Sequence, residues 1–201
     1  PRRAYIYLPE SYDEEPDRRY PVMYMFDGHN VFFDEDATFG KSWGMNDYME
    51  RTGKQLIIVG VECNHQGNCR LSEDSPVTFE NAELGKIRGR GSTTMNWMVN
   101  ELKPYIDEHF RTLPDRRNTI LAGSSMGGLM ALYGATAYNS VFQRAACLSP
   151  SLWVAPGKVM ELIARARICP DTTIYMDYGE NEMANHVASQ AVIPSAVYLL
   201  L

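Results

Sequence analysis

Residues 119–138 read T-I-L-A-G-S-S-M-G-G-L-M-A-L-Y-G-A-T-A-Y. A short apolar run ends in glycines and serines and passes at once into small and apolar residues. An uninterrupted apolar strand of this kind is at home in the middle of a parallel sheet, covered on both faces. A strand that turns directly into a helix is the repeating joint of βαβ architecture. Gly123-Ser124-Ser125-Met126-Gly127 fits G-x-S-x-G with Ser125 at the centre. The pattern has a geometric cause. The central residue takes strained backbone angles, small residues two before and two after let the chain approach itself, and the central hydroxyl projects above the sheet. The helix N-terminus, with the backbone N–H of Met126, can then stabilise a developing oxyanion. A bare G-x-S-x-G is common by chance; the strand before it and the helix after it give it weight here. The competing reading is a glycine-rich turn with an incidental serine. Ser124, off centre, is expected to orient or pack.

The rest of the chain repeats the alternation. Strands are expected at 4–8, 20–26, 55–61, 118–122, 142–148 and 172–178. Helices are expected at 45–51, 93–110, 126–138 and 159–168, the second kinked by Pro104. Residues 11–19 are polar, contain Pro16 and read as a turn. Residues 62–91 read as a long polar loop, a length that in compact domains usually carries function. Strands alternating with helices imply an α/β fold with a mostly parallel central sheet and helices on both faces. At 201 residues with 45% hydrophobic content, the chain suits one domain, 1–201, with a single sizeable core.

The net charge of −6 comes with only short basic clusters, Arg88/Arg90 and Arg116/Arg117. That is no electrostatic footprint for nucleic acid or anionic lipid. No apolar stretch approaches the roughly 18 residues of a membrane span. The expectation is therefore no nucleic-acid and no membrane partner. The first residue is Pro1 rather than Met, which suggests a processed N-terminus and leaves cytoplasm and secretion open. Cys147 lies in an apolar run, whereas Cys63 and Cys69 flank Asn64-His65-Gln66-Gly67-Asn68. Cys63, His65 and Cys69 can be drawn as a zinc site, but the paired spacing of zinc modules is absent. Loop thiols, with no metal and no cofactor, are the expectation.

Several segments in order resemble the esterase family of α/β hydrolases that includes feruloyl esterases, S-formylglutathione hydrolase, enterochelin esterases and the mycolyltransferases. They are Y-I-Y-L-P, R-Y-P-V-M-Y-M-F-D-G-H-N, S-W-G, E-L-K-P-Y-I-D, R-T-L-P-D-R-R, A-G-S-S-M-G-G, L-S-P-S-L-W and Y-M-D-Y-G-E-N-E, spread over 5–182. The resemblance implies an α/β-hydrolase fold and a serine esterase with Ser125 as nucleophile. It places a second oxyanion N–H in Asp27-Gly28-His29-Asn30, at His29, beside that of Met126. Only the His29 backbone need act; its ring reads as an exposed turn side chain. Asn30, Trp43 and Trp153 are the candidate substrate contacts, with core packing an equal reading for Trp153. The implied substrate is a small or carbohydrate-linked ester of feruloyl or acetyl type, and a homodimer is entertained. Acyl transfer and a non-catalytic relative that only binds a ligand remain the alternatives.

A serine hydroxyl needs a base, and this fold orders the triad Ser, acid, His. The resemblance places the acid after the strand at 172–178. Glu182 is preferred there, Asp177 is the rival, and Glu180 reads as solvated surface. The implied G-G-x-H stretch beyond the acid is missing from the nineteen residues after Glu182. His109 and His65 fall elsewhere in the order. His186 follows Glu182 by only four residues, which leaves no room for a helix and strand, so it stands as a weak candidate base. The preferred reading is a chain incomplete near its C-terminus, with a loop missing around Val192-Ile193-Pro194-Ser195. A degenerate relative without a normal triad is the other.

Overall fold

The structure is a computed structural model and describes residues 2–179. Its centre is a six-stranded sheet built from β1 (Ala4–Tyr7), β2 (Val22–Phe26), β3 (Ile57–Val61), β6 (Thr119–Ser124), β7 (Arg144–Leu148) and β8 (Thr173–Asp177), in the order β1-β3-β2-β6-β7-β8. Only β1 runs antiparallel; the other pairs are parallel. The central strands are buried end to end: all five residues of β3, and four of five in β2, are shielded from solvent. This is why they read as continuous rather than alternating apolar runs.

Alternation reappears in which face each residue serves. Val22, Tyr24 and Phe26 join the larger core with Ile57, Val59, Val61 and Leu121. Met25, Ile58 and Ala122 join a smaller one on the other face with Met49. The larger core is covered by α4 (Gly91–Trp97), α5 (Lys103–His109), α6 (Met126–Ala137) and α7 (Pro156–Arg165), which contribute Met95, Ile106, Met130 and Val159. The smaller core is covered by α2 (Met45–Thr52) through Met49. Helices lie on both faces as expected, though unequally.

Three segments differ from expectation. Residues 11–19 hold a one-turn helix, α1 (Ser11–Glu14). The stretch 62–91 is organised: α3 (Cys69–Glu73) is followed by a hairpin of β4 (Phe79–Asn81) and β5 (Gly85–Ile87). Phe79 and Ile87 anchor that hairpin in the larger core, and two isolated apolar residues give too weak a periodicity to find from sequence. The expected helix at 93–110 is interrupted by a π-helical turn at Met98–Leu102, just before Pro104 in the first turn of α5. The widened turn is where the ladder accommodates a ring that lacks an N–H. Among the described residues no helix is long and apolar enough to cross a membrane.

The strand order positions the site. From β2 the chain moves outward to β3 on one side, then crosses to β6, β7 and β8 on the other. The reversal falls between β2 and β6, whose carboxyl ends lie side by side in register, Met25 opposite Ala122. In open α/β sheets that crevice is where ligands bind.

Candidate active site

Ser125 stands between β6 and α6 with φ 55° and ψ −119°. A non-glycine residue in this region is strained by about 1–3 kcal/mol and persists only where its surroundings over-determine it. Those surroundings are visible. Ser125 N–H donates to Leu148 O (3.0 Å), and Ser125 O accepts from Leu129 N–H (3.0 Å) and Ser151 N–H (2.9 Å). The strand and helix also approach too closely for side chains. A Cβ on Gly123 would sit 2.5 Å from the Gly127 carbonyl carbon, and one on Gly127 would sit 2.8 Å from Phe26 Cβ. The glycines at both ends of G-x-S-x-G are therefore steric requirements. Gly123→Ala is expected to lower stability by at least about 2 kcal/mol, read as a fall in the urea midpoint; an unchanged midpoint would show that the turn can open.

The Ser125 hydroxyl is exposed at the crevice and meets Ser151 Oγ at 3.0 Å. The first turn of α6 has N–H groups without intrahelical acceptors, Met126 first among them. Beside it lies the turn after β2. Asp27 is left-handed (φ 57°, ψ 51°) and opens a 3₁₀ turn at Gly28–Asn30. A Cβ on Gly28 would fall 2.4 Å from the Gly60 carbonyl, so this turn is pressed onto β3. Gly127 contacts both Phe26 and Asp27 in the same sense. The turn that carries His29 is thus held against β3 through Gly28, and its Phe26 and Asp27 side chains against the start of α6 through Gly127.

Asp27 is held by Arg70 on α3 through two bonds of 2.7 Å, Nε to Oδ1 and an Nη to Oδ2. Asp27 is 4% exposed, so its carboxylate is desolvated, while Arg70 keeps 32% of its side chain exposed. Asp74 lies beside it, 3.9 Å from Arg70 Nε, with Oδ2 lacking a hydrogen-bond partner. Burial and then the Asp27 charge hold the Asp74 carboxyl well above the usual carboxylate range. A folded carboxyl held that high keeps a proton the unfolded chain has lost, so its contribution to stability falls as pH rises above about 4 toward the folded value. Asp74→Asn is expected to flatten that part of the stability–pH curve in urea unfolding at pH 4 to 8. A variant with the wild-type slope would show that another group carries it.

The His29 ring is 5% exposed, not the exposed turn side chain expected. It lies under Thr38, whose Oγ1 is 2.9 Å from Nε2, and against His65, with ring centroids 4.4 Å apart. Burial lowers its pKa against the pull of Asp27, so it is neutral near pH 7. Asn30 is occupied on both sides: Oδ1 accepts from Thr38 N–H and its carbonyl from Trp43 N–H (2.8 Å). Trp43 is half exposed next to that turn, whereas Trp153 packs against the larger core.

Asp177 ends β8, where its Oδ1 accepts from Ser149 N–H (3.1 Å) and its Oδ2 from Tyr175 Oη (3.0 Å). Ser149 is itself left-handed at φ 44°. Glu182 and His186 lie outside the described residues. Among the described residues no histidine hydrogen-bonds Ser125 Oγ; His109 Nδ1 is at Tyr105 O, and His65 lies 3.5 Å from Glu62. Sequence reasoning missed Ser151 and Arg70. The first lay inside L-S-P-S-L-W but carried no chemical signal, and the second was one charge in a polar stretch.

A strained serine at a β-strand-to-helix turn, over the switch point of a mostly parallel sheet, defines an α/β-hydrolase fold. Solved structures agree. The BES protein of Bacillus cereus is 25% identical with a TM-score of 0.72, covering 98% of this chain and 75% of that one. An IroE-like serine hydrolase of Shewanella oneidensis is 19% identical with a TM-score of 0.70, covering 99% of this chain and 65% of that one. Residues 1–196 match the family described as "Putative esterase", and the chain belongs to that family of ester hydrolases. An esterase of Mycobacterium tuberculosis is 30% identical over 140 residues, which is 70% of this chain but 27% of that protein. The uncharacterized protein YbbA of Bacillus subtilis is 23% identical over 184 residues, 90% of this chain and 69% of that one.

Proposed function

We propose that the protein is a serine carboxylic-ester hydrolase working through an acyl-enzyme, with Ser125 as the nucleophile. The observation that carries this is Ser125 itself: a non-glycine residue held at φ 55°, its hydroxyl exposed above the sheet at a helix N-terminus. Ser125 Oγ attacks the ester carbonyl carbon and gives its proton to a histidine. The carbonyl oxygen becomes negative facing the N–H groups of Met126 and His29, where two donors are worth most. The C–O bond to the alcohol breaks as the histidine returns the proton to the leaving oxygen. Water, deprotonated by the same base, then cleaves the acyl-enzyme.

The base is a histidine beyond the acid; His186, only four residues after Glu182, is a weak candidate for it, and a chain incomplete near its C-terminus remains the preferred reading. Glu182 is favoured as the acid that orients it. Asp177, whose carboxylate oxygens accept from Ser149 and Tyr175 at the end of β8, is the rival acid. The substrate is a small or carbohydrate-linked ester of feruloyl or acetyl type. Support comes from Trp43, with Phe33 and Phe39 exposed on the same segment: flat apolar faces for an aromatic acyl group or a sugar ring. Trp43→Ala is expected to raise KM a few-fold to about tenfold with little change in kcat; a fall in kcat at constant KM would remove it from the binding surface.

The test needs no knowledge of the substrate. Intact mass after incubation with a fluorophosphonate should show one adduct, mapping to Ser125. Absence of any adduct would mean an idle serine, and a ligand-binding role would replace the esterase reading.

A further inference from the structure

The chain after β3 passes directly beneath the turn that holds His29, and three groups meet there. His29, Cys63 and His65 each place one ligating atom so that all three lie within 4.8 Å of one another. They come from two segments: His29 from the turn after β2, Cys63 and His65 from the stretch between β3 and α3. The grouping differs from the one drawn from sequence, because His29 takes the place of Cys69.

One of the three is set up as a ligand before any ion arrives. His29 Nε2 lies 2.9 Å from Thr38 Oγ1. With Nε2–H donating to that hydroxyl, the lone pair of the neutral ring sits on Nδ1. Nδ1 is a buried nitrogen with no hydrogen-bond partner, on a ring 5% exposed. A buried acceptor left unpaired is costly, and an oriented imidazole with its other nitrogen hydrogen-bonded is how metal-binding histidines are normally held. Cys63 is buried beside it at 7% exposure. His65 closes the group from the solvent side, with its side chain 54% exposed. A surface cavity of about 540 Å³ is lined by Cys63 and His65 and gives a path in.

We propose that His29, Cys63 Sγ and His65 form a site for a divalent transition-metal ion of the zinc type. One thiolate and two imidazoles are a donor set for Zn²⁺ rather than for the oxygen-seeking Mg²⁺ or Ca²⁺. The cavity side leaves a fourth position for water. On binding, the Cys63 S–H bond breaks, sulfur keeps the electron pair and donates it to the metal, and the proton goes to solvent. No oxidant or reductant is needed. The ion ties the Gly28–Asn30 turn to the chain after β3. The site stands on its own geometry, whatever becomes of Ser125.

The experiment uses the whole chain and Co²⁺ as the probe, with Zn²⁺ as competitor. One equivalent of Co²⁺ should produce a sulfur-to-cobalt charge-transfer band with the visible absorption of a four-coordinate ion, and Zn²⁺ should abolish both. Cys63→Ser should remove the sulfur band. His65→Ala, at a half-exposed position where folding is not at stake, should weaken Co²⁺ affinity by more than about tenfold. Cys69→Ser should change neither. No sulfur band in the wild type, a band that survives Cys63→Ser, or unchanged affinity in His65→Ala would each overturn the site and leave only adventitious surface binding. Far-UV circular dichroism of each variant keeps loss of ligand apart from loss of fold.

Discussion

Ser125→Ala is expected to lower kcat on an activated ester by on the order of a millionfold and to abolish fluorophosphonate labelling. The magnitude follows from removing the atom that forms the covalent intermediate, after which base and acid have nothing to activate. Folding should survive. Ser125 is exposed, the lost bond to Ser151 Oγ is worth about 1 kcal/mol, and alanine meets the same backbone contacts at Leu148, Leu129 and Ser151. The variant therefore separates chemistry from stability. If it kept more than a small fraction of wild-type turnover, another residue would be the nucleophile and the strained turn would need another explanation.

The second large effect is expected at Arg70, which takes no part in the bond-making steps. Arg70→Ala removes both hydrogen bonds to Asp27 and leaves that carboxylate and the adjacent Asp74 without their cation in a desolvated pocket. Breaking a buried pair from one side costs about 3 kcal/mol or more, which in a domain this size is a fall in Tm of roughly 6–12 °C. Activity should fall as well, because Asp27 opens the turn that holds the His29 N–H. Arg70→Lys keeps the charge but cannot make both bonds at once, so it should recover part of the stability and less of the activity. Stability unchanged in Arg70→Ala would mean that the glycine contacts at Gly28 and Gly127 alone fix the turn.

How much was legible follows from where each signal is encoded. The central strands were readable because continuous apolar runs at 20–26 and 55–61 admit few other fates, and the elbow because its glycines and serine are adjacent in the chain. The hairpin of β4 and β5 was not, because Phe79 and Ile87 are single anchors in a polar stretch. The π-helical turn was not, because Pro104 announces a disturbance without its form.

The sequence by itself determined the fold class, the family and the serine at the centre of the turn, since each depends on residues a few places apart. Tertiary structure alone decided that the turn after β2 lies against the N-terminus of α6, that Arg70 reaches Asp27, and that Ser151 meets Ser125. It also decided that His29 turns its ring inward toward Cys63 and His65. Each of these joins segments dozens of residues apart, and the physical reason is common to all. Parallel pairing of β2 with both β3 and β6 brings three carboxyl ends to one edge of the sheet. Side chains that are isolated polar letters along the chain become neighbours there.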